Sequence, residues 1–316
     1  MMRGKRVLWR LWPKSWRKGV SCRTSPENVE SFQIEGGIFG AVFGDYMGHP
    51  FLYTGMNSVN FKHRPEICSP GNCSIFLLST AVSLTCGMSY LDVLSVWDAL
   101  ILPSPGGGAG LSDWISSGGE RRIDGNMGMF SVVGLAAASV FSTEEDALLW
   151  VDSFCSQFTD DREILILIKI VLVAGLCLKN GEGRSRMRSV VENGFGIEIP
   201  AQKEIWMSGG LEVGARGIDY VRAAISCVVA AEGYESAVRY AISLGGNAQL
   251  TATLAGGLYG FLGNVPKELL KDFMERVGDR STLIGGALVA CPPYSVIEGH
   301  KPLPVCPGGV ASTLAV

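Results

Sequence analysis

Acidic residues are missing from the start of this chain: the first is Glu27, whereas residues 1–23 hold eight Lys and Arg. The nine cysteines are odd in number and scattered, with no C-x-x-C pair. That argues against a disulfide framework or a cysteine metal site and fits reduced thiols in an intracellular compartment. There is no apolar N-terminal signal region and no apolar run of the roughly 20 residues a membrane span needs. Strand-like alternation of apolar and polar residues is absent over most of the body. The glycine-rich stretch at 103–110 (PSPGGGAG) lacks the Lys-Ser/Thr ending of a phosphate-binding loop and reads as a flexible loop.

What is present is apolar and small. The 316 residues are 47% hydrophobic and 18% charged, with 41 glycines and a mean hydropathy of +0.26. That length buries one large core or two modest ones, and the glycines point to turns or close helix packing. The net charge of −3 hides an asymmetry. Setting aside the eight basic residues of 1–23 leaves 19 basic against 30 acidic residues, so the body carries about −11. Such a body is a poor candidate for broad electrostatic binding to nucleic acid.

The basic leader (residues 1–30) places Lys and Arg among Val7, Leu8, Trp9, Leu11, Trp12 and Trp16, with Ser21, Thr24 and Ser25 behind them. This is the pattern of a mitochondrial transit peptide, although Pro13 interrupts a continuous helix. Two other readings stand beside it: an arm that docks on RNA or another anionic surface and stacks its tryptophans, and an inert tail. Mitochondrial matrix is the expected location, and the cytoplasm the alternative.

The body reads as an all-α domain of ten or more helices over residues 34–290, followed by an irregular proline-rich tail at 291–316. Residues 34–47 (IEGGIFGAVFGDYM) carry apolar residues and glycines at helical spacing and place Asp45 in a G-D-x-x-G. Asn72 is positioned to cap a long apolar helix over 73–86, with Ser74 close behind. Residues 90–102 and 124–139 form further helices, and Thr143 followed by three acids is a helix start. The most apolar run, 164–178 (ILILIKIVLVAGLCL), is too short for a membrane and makes a buried central helix. Residues 180–187 form a polar turn. Helices follow over 219–231 and 234–243, and another starts at Val265 and Pro266. Between them Gly245 and Gly246 end one helix, and Asn247 and Gln249 fall in the first turn of the next. Orphan N–H groups there suit a polar site. Cys73 has no histidine nearby in sequence, so a buried inert thiol fits it better than a nucleophile.

The order of these pieces resembles the ADP-ribosylglycohydrolase family, which includes dinitrogenase-reductase-activating and protein ADP-ribosyl-acceptor hydrolases. The resemblance runs over about residues 34–283. It is strongest at the G-D-x-x-G of residues 44–48 and over 219–266, with its A-x-x-L-G-G ending at Gly246, its A-G-x-x-x-G and its final Val265-Pro266. It implies a compact multi-helix orthogonal bundle, two Mg2+ ions and ADP-ribose as substrate. The family's Thr-Asp-Asp-Thr falls here on Gly71, Asn72, Cys73 and Ser74, and its Asp-x-Asp-Thr on Asn247, Ala248, Gln249 and Leu250. An acid near the substrate falls on Leu52. The His-Pro element has no counterpart among His49, His63 and His300, and only Asp45 survives of the acidic positions.

Hard divalent ions need several anionic oxygens to repay their dehydration, so the resemblance implies that the Mg2+ pair is lost and no cofactor remains. The expected protein is a catalytically inactive member of that fold with a vestigial cleft lined by Asp45, Asn72, Cys73, Ser74, Asn247 and Gln249. That cleft is expected to be filled rather than to hold ADP-ribose. The expected role is a scaffold subunit of a protein or ribonucleoprotein complex such as the mitochondrial ribosome, with possible RNA contact through the leader. The enzymatic alternative is hydrolysis of an ADP-ribosyl bond by a metal-independent route, for which Asp45 is the only acid or base available.

Overall fold

The computed structural model describes residues 36–53, 58–60, 71–86, 128–157, 159, 161–212, 215–263 and 265–266. The leader, the proline-rich tail, the expected helix over 90–102, the loop over 103–110 and the helix expected beyond Pro266 lie outside the described residues. So do the boundaries at 30/34 and 290/291.

Ten α-helices make up the described chain: α1 (Gly36–Gly48), α2 (Asn72–Cys86), α3 (Val132–Val140), α4 (Glu144–Cys155), α5 (Arg162–Lys179), α6 (Arg184–Phe195), α7 (Gln202–Met207), α8 (Gly217–Ala230), α9 (Tyr234–Ser243) and α10 (Ala248–Gly260). Short 3-10 turns at His49–Phe51 and Gly128–Ser131 extend α1 and lead into α3. No strand occurs among the described residues, where the only β pairing is an isolated parallel bridge between Leu211 and Gly245. The all-α expectation is met.

The most intimate packing joins α1 to α10, the first and last described helices. Gly36, Gly40, Gly44 and Gly48 recur every four residues and so lie along one face of α1. They meet Gly260, Gly256, Ala252 and Ala248 in antiparallel order. A Cβ at Gly36, Gly40 or Gly44 would overlap the carbonyl oxygen of Gly260, Gly256 or Ala252, and one at Gly256 or Gly260 would overlap Gly40 or Gly36 in return. Glycine is therefore required by backbone approach, not by flexibility. Tyr234, buried at the start of α9, donates its hydroxyl to the Gly40 carbonyl at 2.6 Å beside this crossing.

The second organising helix is α5. Its apolar residues from Ile164 to Leu178 are almost all buried and pack on α3, α4, α6 and α10, as the hydrophobic run predicts. Gly134 of α3 sits against the Ile168 carbonyl. Lys169, the one charge within the run, reaches Asp152 of α4 at 2.7 Å on a partly exposed edge. No helix among the described residues is long and apolar enough to cross a membrane.

Cations from neighbouring elements close two helix ends. Lys179 donates to the carbonyls of Ala138, Ser139 and Phe141 at 2.8–3.0 Å around the end of α3. Arg184 donates to Val228, Val229 and Ala231 at the end of α8. Both place positive charge where the helix dipole and free carbonyls favour it. Thr143 caps α4 as expected, accepting from the Asp146 N–H and donating to its carboxylate. The turn expected over 180–187 is shorter than that, because α6 already begins at Arg184 after Gly183, a glycine with φ of +83°.

Candidate functional site

Asp45 lies in the last turn of α1 with no exposed surface. An isolated carboxylate buried that deeply would be costly, and its oxygens are accordingly filled by donors from two other helices. Oδ2 accepts the backbone N–H groups of Gly71 and Ser74, each at 2.9 Å. Oδ1 accepts the side-chain Nε2 of Gln249 at 2.5 Å. The Ile75 N–H returns to the Gly71 carbonyl at 3.3 Å, so Gly71 stands at the N-cap of α2 and Ser74 supplies the third N–H of its first turn.

Asp45 therefore caps α2 from a different helix, and α2 begins at Asn72 instead of being preceded by it. The expected capping position of Asn72 is corrected by one residue. An anion at a helix N-terminus is placed where the orphan N–H groups and the dipole favour it.

The six residues expected to line a cleft divide between two places. Asp45, Asn72, Cys73, Ser74 and Gln249 are all buried. Asn247, at the partly exposed N-cap of α10, is used differently, because its side-chain oxygen accepts the Leu250 N–H at 3.0 Å. Gly245 and Gly246, with φ of +76° and +58°, make the turn that brings α10 back onto α1. Gln249 is thus carried inward one residue after the helix begins, while Asn247 holds the helix end.

Around this cluster the side chains leave little room. A Cβ on Gly71 would overlap the Gln249 amide and lie 2.7 Å from the Asp45 carboxylate. Thr253 donates its hydroxyl to the Gln249 carbonyl at 2.7 Å. Ser74 Oγ, also without exposed surface, has no well-formed hydrogen bond among the described residues.

His49 was not among the expected lining residues, yet its Nδ1 lies 3.4 Å from Gln249 Nε2. The four-residue step from Asp45 to His49 across the end of α1 is the sequence feature that could have placed them together. Tyr53 follows at φ of +57°, a strained angle for an aromatic residue. It is held there by its N–H to the Gly246 carbonyl at 2.9 Å.

Burial raises the Asp45 pKa above its ordinary 3.8, and this outweighs the opposing pull of Ser74, the Gln249 amide and His49. Burial, reinforced by the Asp45 charge, pushes the Cys73 thiol well above 9.0 despite a contact with Thr253. A thiol held protonated is a poor nucleophile.

The same donor set does not fit a divalent cation. Among the described residues no group of three or more His, Cys, Asp or Glu side chains gathers as metal ligands. The single carboxylate at the cluster points both oxygens at N–H groups. A hard cation would need several anionic oxygens free to face it, whereas Gln249 presents an amide nitrogen, which is a donor.

No family model matches the sequence, and no curated protein matches it. The fold is similar to that of a solved structure described as an "ADP-ribosylglycohydrolase-related protein complex". The TM-score is 0.62 at 16% sequence identity, covering 81% of this chain and 95% of that one. With its helical order and packing, the chain has the ADP-ribosylglycohydrolase-like all-α fold.

Proposed function

We propose that this protein is a non-catalytic member of that fold, serving as a structural subunit of a larger assembly. The observation that carries the reading is the state of Asp45. The one acid retained at the cluster is buried with both oxygens engaged by N–H groups of its own fold, a poor arrangement for holding a metal, orienting a water or protonating a leaving group. Its neighbours are an amide, a protonated thiol, a serine and His49, whose Nδ1 is turned to the Gln249 amide 3.4 Å away.

The assembly part of the reading rests on the basic, tryptophan-bearing leader, which suits import into mitochondria and docking on a ribonucleoprotein such as the ribosome there. The related solved structure is itself described as a protein complex, which suits a fold kept for its shape. The competing reading, a metal-independent ADP-ribosyl hydrolase, draws on the raised pKa of Asp45, since a carboxyl that stays protonated can act as an acid.

One experiment separates the two readings. The purified chain is incubated with ADP-ribosylated protein substrates, with Mg2+ and with a chelator, and released ADP-ribose is measured. No turnover in either condition is expected. Turnover that disappears in Asp45→Ala while that variant stays folded would overturn the non-catalytic reading. For the assembly, size fractionation of mitochondrial extract should place the chain in a large particle. Migration as a small, isolated protein would remove that part.

A further inference from the structure

We propose that the Gln249 amide is a resident cross-link, joining α10 to the α1–α2 junction and occupying through its own hydrogen bonds the position a cation would need. The inference goes beyond loss of chemistry: it assigns Gln249 a stabilising role and predicts that divalent ions leave the native protein unaffected. It does not depend on the scaffold role, because it concerns only what holds the cluster closed.

Three helices far apart in sequence converge there. Asp45 of α1 accepts from Gly71 and Ser74 at the start of α2 and from Gln249 of α10, across 26, 29 and 204 residues. Two elements supply partial positive charge to one carboxylate: the α2 N-terminus and the Gln249 amide. Gln249 is itself nearly without exposed surface. The glycine at 71 lets the α2 backbone close over the amide, since any side chain there would collide with it. His49 Nδ1 lies 3.4 Å from the same Nε2. The amide is neutral, so it satisfies the carboxylate without the dehydration a cation would demand. A glutamate of the same length would instead put two carboxylates within hydrogen-bonding distance, where they cannot both stay ionised.

Thermal unfolding of the full chain and of two variants tests this. Gln249→Met keeps the length and approximate volume but removes the donor; Gln249→Glu keeps the length and reverses the electrostatics. For the wild type, Tm in 10 mM MgCl2 or MnCl2 should match Tm in chelator. Gln249→Met should lower Tm by roughly 3–8 °C at pH 8, as expected for loss of one buried charged hydrogen bond. Gln249→Glu should fall further than Gln249→Met at pH 8, or fail to fold there. It should recover toward Gln249→Met at pH 5, when the pair shares a proton.

A wild-type Tm that rises with either metal would overturn the proposal. So would an unchanged Tm in Gln249→Met, or a Gln249→Glu protein at pH 8 no less stable than Gln249→Met. None of these readouts involves turnover, so their failure is separate from failure of the non-catalytic reading.

Discussion

Replacing Asp45 by alanine should be costly, and replacing it by asparagine nearly neutral. In Asp45→Ala the N–H groups of Gly71 and Ser74 and the amide of Gln249 lose their acceptor in a site closed to solvent. A lost N-cap costs about 1–2 kcal/mol, and each buried donor left unpaired costs about 1–3 kcal/mol. A total of roughly 3–5 kcal/mol follows, allowing for the relief of removing a buried charge. This is a large share of the roughly 5–15 kcal/mol that holds a domain together, and it lowers Tm by roughly 6–20 °C.

Asp45→Asn keeps one oxygen for Gly71 and Ser74. Its Nδ2 then faces Gln249, whose amide can turn to present oxygen instead of nitrogen. No donor is orphaned and no charge is buried, so at pH 7.5 its stability should lie within about 1 kcal/mol of the wild type.

The pH dependence of the difference fixes the sign. A raised folded-state pKa means that between 3.8 and that value the native protein binds more protons than the unfolded chain. Stability contributed by Asp45 therefore falls as pH rises through this window and is recovered on acidification. Asp45→Asn lacks this slope and should gain on the wild type as pH is raised from 4 to 7.5. Urea unfolding across that range measures it. An asparagine variant as unstable as the alanine variant, or one that loses ground to the wild type as pH rises, would refute the reasoning.

Three further outcomes follow from the packing. Gly40→Ala drives a methyl group into the Gly256 carbonyl and should lower stability by about 2–4 kcal/mol or abolish soluble expression; Gly263→Ala, with open space around it, should shift Tm little. Tyr234→Phe leaves the ring in place but removes the donor to the Gly40 carbonyl, which denaturant unfolding should record as a loss of about 1–2 kcal/mol. Alkylation by iodoacetamide at pH 8, followed peptide by peptide by mass spectrometry, should spare Cys73, Cys155 and Cys227 until the chain is unfolded. All three are buried, and burial pushes the Cys155 thiol up to about 12.

Helices whose signals are local were legible in the sequence. The apolar run that became α5, the Thr143 cap and the break between the helices over 219–231 and 234–243 each rest on contacts within a few residues. The glycine period of α1 and the small residues of α10 were visible too, although nothing in either stretch names the other as its partner. The cluster was legible as a set of residues but not as a set of bonds. Asp45 reads as a helix-end acid, and nothing near it names its donors. Asn247 and Gln249, two positions apart, look equivalent in sequence, yet the turn of α10 gives one a capping role at the surface and the other a buried one. The expectation that no His-Pro element is present is corrected by the chain itself: His49 precedes Pro50 in the turn after α1, and its relation to Asp45 is a single helical step.

The pairing of α1 with α10 also bears on how the protein is made. The hydroxyl of Tyr234 and the carbonyl of Gly40 are 194 residues apart, so α1 leaves the ribosome long before its partner exists. Until then its stripe of glycines has no surface to close against, and α5 has already emerged with an apolar surface that α10 later helps cover. Contacts so distant in sequence close slowly, and the waiting intermediate exposes surface that favours aggregation. Truncations that remove α10 should therefore yield insoluble chains even though α2 to α9 are intact, and productive folding should depend on chaperones that hold the early helices apart from one another.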